Sequence, residues 1–234
     1  MRKRTWYVLA CVLSGGLLAV ISSVSAVAAG APGSLDQTFG NGGKVLTDLG
    51  VGGGVASDAA LQSNGDIVVS GGFGLARYLP SGQLDTSFGQ RAVAPVGFAF
   101  DGDSGTAVAI QPDSKIIWVG SQGNPNFTPG GTFEFAVARF NSNGTPDSGF
   151  GAGGTASTEF FSPPLAGAQE FAHAVLVQPD GKILVGGSAR QGQNRFAPIQ
   201  GAIARFTPMA AWTPASAPAG RSCPPATAAS PRWA

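Results

Sequence analysis

Residues 144–151 read G-T-P-D-S-G-F-G, and nearly the same eight letters occur twice earlier in the chain. The earlier copies are G-S-L-D-Q-T-F-G at residues 33–40 and G-Q-L-D-T-S-F-G at residues 82–89. We call this pattern, G-x-(L/P)-D-x-x-F-G, the closing motif. A pattern that recurs at long and similar intervals is typical of a protein built from structural repeats. The closing motif therefore indicates a repeat architecture before any strand is assigned.

Two further motifs recur in a fixed order with the closing motif. The turn motif has two apolar runs around a polar centre, as in A-V-L-V-Q-P-D-G-K-I-L-V-G at residues 174–186, with copies at 59–71 and 107–120. The arginine motif reads L-A-R-Y at residues 75–78, V-A-R-F at 137–140 and I-A-R-F at 203–206. Three motifs in the same order make one repeat unit that occurs about three times.

The turn motif predicts a β-hairpin. Pro179 presets its own φ, Asp180 suits the next turn position and Gly181 tolerates a positive φ, while β-branched residues flank the turn. Ser114 replaces this glycine in the middle copy, so we expect a more strained turn there. The arginine motif supplies a third strand, and the run after each closing motif, such as K-V-L-T at residues 44–47, supplies a fourth.

A four-stranded antiparallel sheet repeated every 49 to 67 residues, without helices, is typical of a β-propeller blade. The 36 glycines, 17 prolines and only 12% charged residues also favour short strands and tight turns. The extra length of the later repeats falls in Gly-, Pro- and Asn-rich stretches around residues 123–132 and 191–198, which we expect to be loops. We therefore predict an all-β fold, a partial β-propeller of about three four-stranded antiparallel blades over residues 29–208.

The phrases Q-P-D-G-K-I-L-V-G-G, (V/I)-A-R-F and G-x-L-D-T-S-F-G resemble the delta-60 repeat β-propeller family of exported bacterial proteins over residues 33–208. The resemblance implies a propeller scaffold in the cell envelope or outside the cell. It implies no established activity, so no catalytic residue is carried over. The chain departs from the family pattern at Ser114, Pro146 and Gly149, and in its length.

The N-terminus has the pattern of a secretory signal peptide at residues 1–28. A basic head, M-R-K-R, precedes an apolar run at residues 6–21, and S-A-V-A-A at residues 25–29 offers the small residues of a cleavage site near Ala28. The alternative is an uncleaved anchor, for which the run is short and interrupted by Ser and Gly. We predict a secreted or cell-envelope protein with no stable membrane span after cleavage.

The tail at residues 209–234 is rich in Ala and Pro and breaks the repeat pattern after Pro208. Its first twelve residues have codons that, in a shifted frame, can spell G-S-L-D-T-S-F-G-T-G-G, so one lost base would account for the break. The alternative is a genuine linker, because such a composition buries too little apolar surface to fold. Under either interpretation we expect the tail to be disordered.

One polar position recurs at the start of the first strand of each repeat, occupied by Ser57, Thr106 and His173. In a propeller the first strands line the central channel, so these side chains could form a ring that contacts a ligand. The other interpretation is that they cap backbone groups at the strand start, and we favour it. No Cys, second His or acidic cluster accompanies His173, which weakens metal and nucleophile hypotheses.

The repeated charged and aromatic residues are interpreted as scaffold rather than as a catalytic site. A catalytic site is normally single, whereas a structural contact recurs in each blade. We expect Asp to bind backbone N–H groups in its turn, Arg to bridge strands or blades, and the aromatic residues to fill the core between blades. The residues are Asp36, Asp85 and Asp147; Arg77, Arg139 and Arg205; Phe39, Phe88 and Phe150; and Tyr78, Phe140 and Phe206.

Composition excludes some classes of function. The formal net charge is +1 without a basic patch, so we expect no nucleic-acid partner. Cys11 and Cys223 both lie outside the repeats, so the repeats contain neither a disulfide framework nor a Cys-based metal site. Asp101 and Asp103 suggest calcium only weakly, since no EF-hand or nonapeptide spacing is present. We assign no catalytic residue, metal ligand or cofactor.

Three functional hypotheses remain. The first is a non-enzymatic exported propeller that binds a protein or glycan ligand through its loops or channel, favoured by the long polar loops and the lack of a single acid–base constellation. The second is a hydrolase or lyase acting on extracellular glycan or peptide, which rests on fold analogy alone. The third is a truncated copy without function.

Propellers close with four to eight blades, so a chain with about three leaves blade edges open. These open edges also predict self-association.

Overall fold

The structure is a computed structural model. It describes residues 31–49, 55–72, 74–90, 93–94, 105–123, 132–161, 167–192, 196–209 and 221–222. The expected signal peptide, the pair Asp101 and Asp103, and most of the two expected loops and of the tail lie outside these ranges. Contacts divide the chain into two units, Met1–Ser34 and Leu35–Ala234. In the first unit, residues 31–34 form a turn in which the Ser34 hydroxyl donates to the Ala31 carbonyl (2.7 Å). The twelve strands found among the described residues all lie in the second unit.

The described ranges contain strands and turns but no helix, and so no segment of the kind that crosses a membrane as a helix. The strands are β1 (Ala56–Leu61), β2 (Ile67–Gly71), β3 (Gly74–Tyr78), β4 (Val93–Ala94), β5 (Gly105–Ile110), β6 (Ile116–Gly123), β7 (Phe133–Phe140), β8 (Thr155–Thr158), β9 (Gln169–Val177), β10 (Ile183–Arg190), β11 (Gln200–Phe206) and β12 (Arg221–Ser222).

The strands form three four-stranded antiparallel sheets, each in sequence order: β1 to β4, β5 to β8, and β9 to β12. We call them blades 1, 2 and 3. The predicted all-β fold of about three antiparallel blades is therefore confirmed. Each turn motif forms the hairpin between the first two strands, and its glutamine N–H donates across the turn at 2.8 Å in every blade. Each arginine motif lies at the end of the third strand.

The hairpin of blade 2 has a serine, Ser114, at a turn position where the other two hairpins have glycine, and its backbone is strained there. Ser114 has a φ of 66°, the only positive φ of a non-glycine residue in the described chain. Gly65 and Gly181 occupy the same turn position in the other blades, with φ values of 89° and 79°. The left-handed region is unfavourable for a residue with a Cβ, so the strain expected at Ser114 is present.

The fourth strands agree with the prediction in two repeats and differ in the first copy. β4 and β8 follow the closing motifs at residues 82–89 and 144–151, as expected. Residues 44–47 form no strand; Lys44 makes only an isolated bridge with Gly40. The prediction for this run was wrong because a fourth strand needs a third strand beside it, and residues 31–43 contain no arginine motif. The closing motif at 33–40 is thus the end of a blade whose other strands do not precede it in the described residues.

Two residues of the expected disordered tail are placed in blade 3. β12 pairs antiparallel with β11, Arg221 opposite Ala204 and Ser222 opposite Ile203. They occupy the fourth-strand position that β4 and β8 hold in the other blades. The rest of the tail beyond Met209 lies outside the described residues.

The core lies between consecutive blades. One apolar cluster joins blades 1 and 2, and a second joins blades 2 and 3. Phe88 and Phe150, from successive closing motifs, are completely buried in these clusters, and Phe140 and Phe206 are almost completely buried. Phe39 and Tyr78 are only partly buried, because no blade covers the preceding face of blade 1 in the described structure. Their assignment to the core is corrected to that extent.

Candidate functional site

The arginine of blade 1 joins its own closing motif to the next blade. Arg77 donates from Nε (2.8 Å) and Nη2 (2.6 Å) to Oδ2 of Asp85, and its guanidinium lies 4.9 Å from the centre of the Phe88 ring. Nη1 donates to the carbonyl oxygen of Ser142, two residues after the arginine motif of blade 2 (2.7 Å). Gln62 adds a carbonyl oxygen to the same guanidinium (3.3 Å). We call this arrangement the arginine clamp.

Blade 2 repeats the clamp with different neighbours. Arg139 donates from Nε to Oδ2 of Asp147 (2.7 Å) and lies 4.7 Å from the centre of the Phe150 ring. Its Nη1 donates to the carbonyl oxygen of Pro208, again two residues after the next arginine motif. Lys115 adds a second cation to Asp147 at 3.1 Å. The clamp therefore recurs with the blades and holds each one to the next.

These contacts also lower the pKa values of the aspartates. The pKa of Asp85 is held below its usual value, mainly by the Ser87 hydroxyl bond and further by Arg77. Burial alone raises the pKa of Asp147, but bonds from Lys115, Gly149 and Arg139 more than offset that cost, so the net shift is downward. Both carboxylates are ionised and fully engaged at neutral pH, which fits a scaffold role rather than proton transfer.

The outermost members of the repeated set are not engaged in this way. Asp36 is exposed, and the bonds it accepts come from the Thr38 N–H (2.9 Å) and hydroxyl (2.6 Å) of its own turn. Arg205 is also exposed, and no partner is found for it among the described residues. The scaffold interpretation thus fits the two complete clamps. Asp36 and Arg205 are each one half of a clamp whose other half is not found among the described residues.

The residues at the recurrent polar position make different contacts in the three blades. The Thr106 hydroxyl donates to the Ala172 carbonyl of the next blade (2.6 Å), as a cap would. His173 is exposed, and its Nε2 lies 3.2 Å from the Ser188 hydroxyl of its own blade. Ser57 is exposed, and its neighbour Asp58 accepts a bond from the Val108 N–H (2.9 Å). Capping describes Thr106 well, whereas His173 and Ser57 stay available on the surface of the inner strands.

A cavity of about 410 Å³ lies at the opposite end of the inner strands, where β1, β5 and β9 reach their turns. Each blade contributes the last residue of its inner strand and parts of its turn motif. The lining residues are Leu61, Ser63, Ile110, Gln111, Pro112, Ser114, Val177, Gln178 and Pro179. The side-chain Oε1 atoms of the buried Gln111 and of Gln178 have no hydrogen-bond partner within the described ranges. An apolar cleft with a few convergent polar groups is the usual form of a small-ligand site.

Sequence reasoning did not identify this cavity, which lies at the other end of the inner strands from the recurrent polar position. It selected the recurrent polar residue at the strand start and treated the glutamine of the turn motif only as a landmark. The signal was present, because an aliphatic residue precedes that glutamine in all three copies, at Leu61, Ile110 and Val177. Equivalent residues of successive blades share one end of a propeller, so this recurrence predicts an apolar opening there.

In the part of the chain that the structure describes, no three side chains of the types His, Cys, Asp and Glu are grouped so as to hold a metal ion. The weak calcium hypothesis at Asp101 and Asp103 lies outside the described residues.

Comparison with known families agrees with this geometry. Residues 62–88, 111–150 and 178–209 match a family model described as a domain of unknown function (DUF5122) beta-propeller. No curated protein matches the chain. Each matched segment begins at the glutamine of a turn motif; the first two end at the phenylalanine of a closing motif, and the third ends where that motif fails to appear. Three segments of the chain are therefore similar to the DUF5122 β-propeller model.

Proposed function

We propose that the protein is an exported, non-enzymatic β-propeller scaffold that binds a ligand in the cavity at the turn end of its inner strands. The observation that carries the proposal is the composition of this cavity. Leu61, Ile110 and Val177 come from three different blades, so the cavity is a product of the stacked repeats and not of one loop. The arginine and aspartate of each of the two complete clamps are already engaged with each other, and so they are not available for acid–base work.

The lining indicates what kind of ligand would fit. Aliphatic side chains and two prolines offer an apolar surface for a methyl group, an acyl group or the apolar face of a sugar ring. The side-chain amides of Gln111 and Gln178, which line the cavity, would supply hydrogen-bonding groups for ligand N–H or O–H groups. A neutral ligand with both features, such as an acetamido sugar or a short peptide segment, suits the cavity better than an anion or a cation.

The N-terminal pattern supports the location of such a ligand outside the cytoplasm. A basic head, an apolar run and small residues near Ala28 are typical of secretory signals. The amino-acid sequences of the turn and closing motifs support assigning the repeats to the delta-60 type. N-terminal sequencing of the protein recovered outside the cytoplasm would test cleavage directly.

Binding can be tested with the full chain and a panel of N-acetylhexosamines and N-acetylated dipeptides, using ligand-observed NMR. Leu61→Glu places a charge in the cavity at a residue that is 67% exposed, so the fold should tolerate it. We expect at least a tenfold loss of affinity for any probe that binds. Ile199→Glu, at a residue 70% exposed and outside the cavity lining, is the matched control and should bind normally. Failure of every probe, or equal binding by the Leu61→Glu variant, would contradict the proposal.

A further inference from the structure

The chain carries the two halves of one arginine clamp at opposite ends. Arg205 is the equivalent of Arg77 and Arg139, but residues 209–234 contain no Asp or Glu that could complete its clamp. Arg139 is 6% exposed and the Arg77 side chain 14% exposed, whereas Arg205 lies in the exposed class, with no ion pair among the described residues. Blade 3 therefore presents the cationic half of a clamp.

The closing motif at residues 33–40 presents the anionic half in a preformed conformation. Oδ1 of Asp36 accepts the Thr38 N–H at 2.9 Å, just as Oδ1 of Asp85 accepts the Ser87 N–H at 2.9 Å. In Asp85 the other oxygen, Oδ2, binds Arg77. Oδ2 of Asp36 points to no cation within the described chain, although the turn around it is built like the others.

The apolar surroundings of the two halves are also uncovered. On blade 3, Ile203 is 50% exposed, although its equivalents Leu75 and Val137 are completely buried against the next blade. Beside the anionic half, Leu35 is 49% exposed and Leu46 is fully exposed. The third strand of blade 3 and the closing motif at residues 33–40 are thus two surfaces of the kind that meet within blades 1 and 2, where each arginine binds the aspartate of its own closing motif.

The complete blades fix how these surfaces would pair. In blade 1, Ala76 of the third strand lies opposite Val93, the fifth residue after the phenylalanine of the closing motif. In blade 2, Ala138 lies opposite Thr155, again the fifth residue after that phenylalanine. The register between the arginine motif and the run after the closing motif is therefore the same in both blades.

The same register applied to the two halves places Lys44 opposite Ala204 and Val45 opposite Ile203. These are the positions that β12 occupies, with Arg221 and Ser222 on the same two residues of β11. β12 spans only two residues, so it covers a small part of the edge and can be displaced by a longer strand that brings its own closing motif.

We propose that the occupant is a second copy of this chain, and that two copies exchange their closing motifs to form a closed six-bladed ring. Residues 35–47 of each copy complete blade 3 of the other, and Asp36 pairs with Arg205 across both junctions. Propellers close with four to eight blades. The described residues of one chain form three blades, so two copies supply six, a number within that range, whereas three copies would supply nine. A 180° rotation closes a head-to-tail interface into a dimer.

A charge exchange tests the ring. In Asp36→Arg, both junctions of a homodimer place Arg against Arg; in Arg205→Asp, both place Asp against Asp. Each variant alone should be monomeric by sedimentation velocity at a concentration where the natural chain is dimeric. In an equimolar mixture, one junction has the natural pair and the other the reversed pair, so dimers should return. The double variant Asp36→Arg with Arg205→Asp should also dimerise.

The outcomes separate the ring from other causes. A natural chain that stays monomeric at 100 μM or so overturns the proposal, as does a mixture that stays monomeric while each variant is folded by circular dichroism. If Asp36→Arg does not fold, Asp36→Asn keeps an oxygen acceptor for the Thr38 turn and removes the charge, and it should raise the dimer dissociation constant at least tenfold. Asp113→Asn, at an exposed turn carboxylate outside the junction, is the matched control and should leave that constant unchanged.

A disulfide trap tests the register. With Cys11 and Cys223 replaced by Ser, Val45→Cys and Ile203→Cys together should form a reducible dimer of twice the mass of one chain, since facing residues on paired strands approach closely enough for a disulfide. Leu61→Cys with Ile203→Cys is the matched control, because Leu61 lies on an inner strand. Equal cross-linking in both variants would show random collision and contradict the register.

Discussion

At the scale of single residues, the same side chain has different energetics in different repeats. Phe88 is completely buried between blades 1 and 2, whereas Phe39, at the same position of the first closing motif, is only partly buried. We expect Phe88→Ala to lower the free energy of unfolding by about 3–5 kcal/mol, because it removes a large ring and leaves a cavity.

Phe39→Ala is the matched comparison and should cost clearly less, since part of its ring already faces water. Both substitutions should be measured by urea unfolding in the Asp36→Arg background, so that self-association does not contribute. Equal losses for the two variants would show that burial in the inter-blade core does not set the contribution of this position.

The clamp aspartates give the stability a defined dependence on pH. Asp85 and Asp147 have pKa values below the ordinary 3.8 in the folded chain, so the folded state favours their ionised forms. Their contribution is complete above the unfolded pKa of about 4 and is lost as pH falls through the lower folded values. The urea concentration at the midpoint of unfolding should therefore decrease as the pH is lowered below about 4.

The variant Asp85→Asn with Asp147→Asn is the check on that assignment. It should be less stable than the natural chain at pH 7 and should lose less stability between pH 5 and pH 3. Some slope will remain, because local bonds also lower the pKa values of Asp36 and Asp180. An unchanged slope in the double variant would assign the acid sensitivity to other groups.

At the scale of elements, the three hairpins offer an internal comparison of turn chemistry. Ser114 holds a φ of 66° where its counterparts are glycines. We expect Ser114→Gly to raise the stability by about 0.5–1 kcal/mol, because relief of left-handed strain exceeds the entropy cost of glycine. Gly181→Ser is the mirror experiment and should lower stability by a similar amount. Thermal unfolding of both variants measures the effect, and a destabilised Ser114→Gly would refute the strain argument.

The strands, turns and cavity also show which features of the fold could be predicted from the sequence and which could not. Hairpins and arginine motifs were predictable because turn residues and alternating apolar runs act locally. The run at residues 44–47 was assigned as a strand by analogy, yet a strand depends on a neighbour that lies far away in sequence or in another molecule. The cavity was missed for a related reason: Leu61, Ile110 and Val177 become neighbours only when blades stack. The direction of each clamp, from Arg77 to Ser142, likewise depends on stacking.

At the scale of the whole molecule, the three blades differ in how many faces they bury. Blade 2 has a blade on each side, and both of its central strands are largely buried. Blade 3 has a neighbour on one side only, and in β11 every second residue is exposed, including Ile203. In a stack of repeats each unit is stabilised by its neighbours, so an end unit opens more readily than a middle one.

Amide hydrogen exchange should therefore rank the blades. In dilute protein we expect the slowest exchange in β6 and β7 and clearly faster exchange in β11, because the opening of blade 3 breaks only one inter-blade contact.

The six-bladed ring makes the exchange in blade 3 depend on protein concentration. When a second copy covers blade 3, the protection of β11 should rise with protein concentration, while that of β6 and β7 changes little. The variant Arg205→Asp should keep the dilute pattern at every concentration. Exchange in β11 that does not depend on concentration in the natural chain would mean that this face stays open, and that a partner other than the chain itself must cover it.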